Sequence, residues 1–341
     1  MLNNMKPTVR QSNMELLRII AMLMVVALHA CTGGFGYVRT GNVHQDPAGW
    51  LGVTLTTMAC IGCVDVFVLI TGWFGTHFRW KGALRLVAQT AFVASMMYVV
   101  VAATGNPLPR TFGDAMEALW SYWFVQSYLL LYVLSPLLNA FIGRADERQL
   151  GSYVATFYAF YVPLSFVNSD IANGYSTFSF IGLYLLGRYL RLYGAARLRT
   201  FVRSWHLVML WTFLTAGMAF AIWAAAMWGT QATTHDLIRR LTAYSNPLVI
   251  IGACSLLLLT SRLHFTSRVV NFLAAGSFTV YLTHQQLFLR KPYFQLIRDI
   301  DYQLSSPMLC FLAVTGVVVG VYLASAFFDW GRQWLFRKCG L

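Results

Sequence analysis

Three ionisable side chains stand in one otherwise apolar run, 14-MELLRIIAMLMVVALHACTGG-34: Glu15, Arg18 and His29. With Met22 and Val25 between them they step by three, four, three and four, so all five share one stripe of a helix. Arg18 and His29 are about three turns apart, roughly 16 Å of rise. A charged side chain at membrane depth costs a few kcal/mol or more and marks a functional site by default. Histidine works near neutral pH as a proton acceptor or a nucleophile. Arginine presents a planar fork of donors that suits phosphate. Glu15, three residues before Arg18, is placed to pair with it. The bland alternatives are that Arg18 and Glu15 snorkel to the headgroups and that His29 is a hydrogen-bonded structural histidine. Alignment of all three on one stripe favours the site.

Other residues join this set. Asp65, in 63-CVDVFVLITGWF-74, is the one carboxylate expected deep within an apolar segment, so it must be paired, hydrated or protonated. It either takes part in chemistry or anchors helix packing. His284 lies in 277-SFTVYLTHQQLF-288, where Thr283, Gln285 and Gln286 make a polar stretch that suits a lined cavity. Trp123, Gln126 and Tyr128 either line a site or act as interfacial anchors. His44, His77, His206, His235 and His264 fall in loops or at segment edges and are expected at the surface. No metal site is expected: 60-CIGC-63 has the spacing of one ligand pair but lacks a second.

The elements that must position these residues follow from composition. The 341 residues are 58% hydrophobic and 11% charged, with mean hydropathy +0.59. A soluble domain is about 25% charged, so the chain falls in the integral-membrane class. Ten segments approach the ~20 apolar residues of a membrane helix: 14–34, 50–73, 83–104, 117–140, 151–167, 174–193, 205–228, 243–260, 271–289 and 308–330. They follow one another closely, which predicts a single all-α transmembrane domain over residues 1–341. Gly316 and Gly320 form a GxxxG in the last segment, a mark of close helix packing. Arg18 and His29 interrupt the pattern of a cleaved signal, so the first segment is expected to be retained. The net charge of +13 suits loops on one side of a membrane. Nucleic acid is excluded because no basic run carries a binding motif. Alternate loops hold 17 of the Lys and Arg residues against 7, which predicts both termini in the cytoplasm.

Taken together these motifs resemble the bacterial acyltransferase-3 family of integral-membrane O-acyltransferases, over nearly the whole chain. The carriers of the resemblance are Arg18, ten residues and His29, with Glu15 before them; 64-VDVFVLITG-72, with Thr71 where the family has Ser; the basic stretch 79-RWKGALR-85; Trp123-Phe124 followed by Tyr132 to Pro136; and 281-YLTH-284. The resemblance implies ten helices in a bacterial cytoplasmic membrane. It implies a cytoplasmic acyl-CoA donor, usually acetyl-CoA, and a glycan or lipid-linked sugar acceptor on the far side. It extends the donor site to Arg85 and Arg79, and it resembles most the short stand-alone polysaccharide acetyltransferases.

In such a reaction His29 is expected as general base first and acyl carrier second. Asp65 or Glu15 would orient or charge-balance the centre, Arg18 would meet the donor, and Trp123 and His284 would bind substrate. The alternative class is a transporter or flippase of a lipid-linked sugar, since intramembrane charges also mark transport pathways; no internal repeat of the transporter kind is visible in the sequence.

Overall fold

The computed structural model describes residues 10–36, 43–103, 122–167 and 173–338. Among these every regular element is helical: α1 Ser12–His29, α2 Pro47–Cys60, α3 Cys63–Phe74, α4 Trp80–Ala103, α5 Trp123–Arg144, α6 Glu147–Val167, α7 Thr177–Tyr189, α8 Ala195–Phe201, α9 Ser204–Trp228, α10 Gln231–Leu241, α11 Pro247–Thr260, α12 Arg268–Ala275, α13 Ser277–His284, α14 Leu287–Gln303 and α15 Pro307–Lys338. π-helical turns follow α1 (Ala30–Phe35) and α7 (Leu190–Gly194). Residues 104 and 117–121 of the expected segments lie outside the described residues, as do Lys6, Arg39, Arg110 and Cys339.

Helix starts follow local chemistry. Asp46 caps α2 through the Gly49 N–H with Pro47 at the first position, Asn246 does the same for α11 through the Leu248 N–H ahead of Pro247, and Ser176 caps α7. Gly75, at φ +71°, closes α3 with its N–H on the Thr71 and Gly72 carbonyls.

Six stretches among the described residues are long and apolar enough to cross a membrane: Ser12–Phe35, Pro47–Phe74, Trp123–Arg144, Glu147–Val167, Ser204–Trp228 and Pro307–Lys338. The expected segment 243–260 is the shorter apolar helix α11. The expected segment 271–289 is not one helix. It breaks at Gly276 between α12 and α13 and again at Gln285-Gln286, the polar stretch. The second segment is likewise interrupted at Ile61-Gly62, between α2 and α3.

Contacts between the described loops fall at two ends of the bundle. At one end Arg197 pairs with Glu147, Arg199 bonds the Ser261 carbonyl, Arg262 bonds Ser204 and Arg10 bonds the Asn271 carbonyl. At the other, Arg298 bonds the Gly33 carbonyl, Trp223 the Pro47 carbonyl, and the Tyr244 N–H the Asn173 carbonyl.

The centre of the bundle is α3, packed by α1, α7 and α11. Its crossing with α7 is backbone to backbone: a Cβ on Gly72 would fall on the Tyr184 carbonyl, and one on Gly187 on the Leu69 carbonyl. Large apolar side chains on α5, α9 and α15, such as Leu137, Phe213 and Phe311, point outward, as a lipid-facing surface requires. Among the described residues nothing makes the expected close contact at Gly316 and Gly320. Both are exposed on α15, and a Cβ at either would meet no atom within 4 Å.

Candidate functional site

The helical stripe of α1 forms one wall of a cavity of about 380 Å³. Arg18, Met22, Val25 and His29 all line it, which follows from their spacing on an unbroken helix. Glu15 lies just outside the lining, buried, with its Oε1 2.7 Å from Arg18 Nη1. Arg18 also sits over the Phe74 ring, 5.7 Å from its centroid, at the C-terminal end of α3. The Arg18 end of the cavity therefore opens beside the α3–α4 connection, while His29 lies toward Cys63 and Val64 at the start of α3.

His29 stands against His284, 255 residues away in sequence. His284 Nε2 and His29 Nδ1 are 3.2 Å apart, and the ring centroids are 5.2 Å apart. His284 does not line the cavity. It backs His29, with its Nδ1 2.7 Å from the Val280 carbonyl and its Nε2 3.3 Å from the Gln285 amide nitrogen. Its neighbours are tied down: Thr283 hydrogen-bonds Ser325, and the Tyr122 hydroxyl donates to the Leu282 carbonyl.

Asp65 is fully buried in the first turn of α3, and neither carboxylate oxygen has a hydrogen-bond partner among the described residues. It is one residue past the cavity-lining Val64 but does not line the cavity itself, nor does it bond Arg18, His29 or His284. The geometry thus gives the position beside His29 to His284. Arg79 and Arg85 are exposed at the start of α4, outside the cavity lining. Arg85 is one turn before the cavity-lining Gln89, on the same face of α4 and on the side of the Arg18 mouth.

The far end of the cavity is aromatic. Trp123 meets Tyr175 with centroids 4.5 Å apart and stacks on Tyr244 at 6.0 Å, while Tyr175 and Tyr244 are 4.8 Å apart. Tyr175 and Tyr244 were not visible as site residues in the sequence, since each sits in a loop that only the tertiary fold brings to Trp123. A third buried carboxylate was missed. Asp329, on α15, is fully buried and accepts from Thr279 Oγ1 (2.5 Å), Gln89 (3.4 Å), Gln333 (2.6 Å) and Arg332 Nε (2.8 Å). It lies at the very end of the expected segment 308–330. The five remaining histidines are exposed, as expected. No group of three or more His, Cys, Asp or Glu among the described residues is arranged to hold a metal.

The cavity can hold a long, partly apolar ligand between a cationic mouth and an aromatic end, with a histidine facing it part-way. A family model described as "Acyltransferase domain" matches residues 11–326. Comparison with curated proteins and with solved structures returns no match.

Proposed function

The chain belongs to the acyltransferase-3 family, a membrane acyltransferase in general terms, and from that premise we propose that it moves an acetyl group from cytoplasmic acetyl-CoA to a hydroxyl of a cell-surface or lipid-linked glycan. The observation that carries this reading is the stripe of α1: Arg18 at one mouth of the cavity and His29 deeper on the same wall. In this reading the chain spans a bacterial cytoplasmic membrane ten times with both termini inside, so the mouth at Arg18 faces the cytoplasm and the aromatic end faces out.

Arg18 meets donor phosphate with its guanidinium fork, supported by Arg85 and Arg79. Met22, Val25 and Leu28 give the thioester arm an apolar wall. His29 takes the proton of the acceptor hydroxyl while that oxygen bonds to the thioester carbon. The carbon–sulfur bond then breaks, the sulfur leaves with its electron pair, and His29 returns the proton to it. The products are the O-acetyl ester and free CoA. Trp123, Tyr175 and Tyr244 offer ring faces to the acceptor.

The test is incubation of purified protein with labelled acetyl-CoA and a panel of glycans, beside His29→Ala. Label on the glycan with wild type, reduced about 10²- to 10⁴-fold in the variant, is the expected result. Wild-type activity in folded His29→Ala overturns the role of His29. Absence of label with every acceptor, together with movement of a lipid-linked sugar across vesicles, would assign the chain to transport.

A further inference from the structure

Resting on the acyl-transfer reading, we propose that His284 is a positioning residue that fixes which nitrogen of His29 carries the proton. The Val280 carbonyl can only accept, and it lies 2.7 Å from His284 Nδ1, so that nitrogen bears the hydrogen. A neutral imidazole protonated on Nδ1 has its lone pair on Nε2. The Gln285 amide nitrogen, which can only donate, points to the same Nε2 at 3.3 Å. His29 Nδ1 faces that lone pair at 3.2 Å and therefore carries a hydrogen of its own, and the same ring also hydrogen-bonds the Val25 backbone one turn back on α1.

One nitrogen of His29 is then left without a proton, Nε2, on a ring that lines the cavity. The order runs Val280 carbonyl, His284, His29, substrate. A hydrolytic triad uses a carboxylate in the second place. Here a second imidazole, anchored on its own helix backbone, does the orienting, and no carboxylate hydrogen-bonds either ring among the described residues. During transfer the hydroxyl proton arrives at and leaves from His29 Nε2, while the Nδ1 proton stays on the contact with His284. The anchor is firm, because α13 is pinned at Leu282 by Tyr122 and at Thr283 by Ser325.

The experiment is nitrogen-15 NMR of histidine-labelled protein in detergent, with the His29 signals assigned by their loss in His29→Ala. Wild type is expected to show His29 protonated on Nδ1. His284→Gln places an amide oxygen near the lone pair it replaces and should keep that tautomer. His284→Leu should lose it, lower kcat about 10²-fold through misorientation of the base, leave the KM for acyl-CoA unchanged, and be largely rescued in His284→Gln. A wild-type His29 protonated on Nε2 overturns the proposal, as does an unchanged tautomer and rate in His284→Leu. The wild-type spectrum decides even if the leucine variant does not fold. It decides independently of catalysis too: wild type that transfers no acyl group sinks the enzyme reading, while the tautomer still judges His284.

Discussion

Arg18 and Glu15 form one ion pair, 2.7 Å apart, in which the Glu15 side chain is buried and the Arg18 side chain is a third exposed. Glu15 thereby fixes one side of the fork and leaves the rest of it toward the cavity. Arg18→Ala is expected to raise the KM for acyl-CoA about tenfold to a hundredfold, the loss of a charge-assisted contact of about 1.5–3 kcal/mol. Arg18→Lys should recover only part, since a point charge does not reproduce the fork. Steady-state kinetics at saturating acceptor measure this, and an unchanged KM in Arg18→Ala removes Arg18 from the donor site.

Trp123 should act on the other substrate. Its contacts with Tyr175 and Tyr244 make it the centre of the aromatic end. Trp123→Leu should raise the acceptor KM about threefold to tenfold, in line with ~0.5–1.5 kcal/mol for an aromatic contact, and leave the donor KM in place. A change confined to the donor KM would reverse the assigned direction of the cavity.

Asp65 is buried without a hydrogen-bond partner among the described residues, and an unpaired carboxylate in a low-dielectric interior is costly. Asp65→Asn keeps the shape and removes the charge, so its melting temperature should equal or exceed that of wild type. A clear drop would reveal an ion pair or bound group that the carboxylate holds. With stability preserved, the transfer rate of the same variant reports the chemical role of Asp65 free of folding effects.

Asp329 is the opposite case. It gathers Thr279, Gln89, Gln333 and Arg332, and Arg332 has a side chain only 10% exposed. Removing one partner of a buried pair costs about 3–5 kcal/mol. Asp329→Ala should therefore lower the melting temperature on the order of 10 °C, read by a thermal-shift assay in detergent, and Arg332→Met in the same background should restore part of it.

The contrast between these two carboxylates shows where sequence reasoning stops. Periodicity put Glu15, Arg18 and His29 on one face because all three sit on one helix, and the structure keeps Arg18 and His29 on one wall with Glu15 paired to Arg18 just outside it. Hydropathy located the helical segments because each is a local property of about 20 residues. It did not show the breaks at Ile61-Gly62 and Gly276, which interrupt otherwise apolar runs. Asp65 looked singular because its neighbours in sequence are apolar, while Asp329 drew no notice, at the end of its apolar segment and three residues before Arg332. Only packing of α15 against α4 and α13 shows Asp329 to be equally buried. His284 was visible as a polar exception, but its place behind His29 depends on helices 255 residues apart meeting side by side.

The widened π-helical turn begins only after His29, at Ala30, so the helix from Ser12 to His29 is regular throughout. That makes it a ruler with two marks. About 16 Å of rigid rise separates the group that grips the carrier from the group that handles the acyl carbon, and neither can be moved without sliding a whole helix. In the proposed reaction, a carrier whose arm is too short for that gap would dock at one mark and never reach the other. Selection of the donor would then rest on its length as well as its charge.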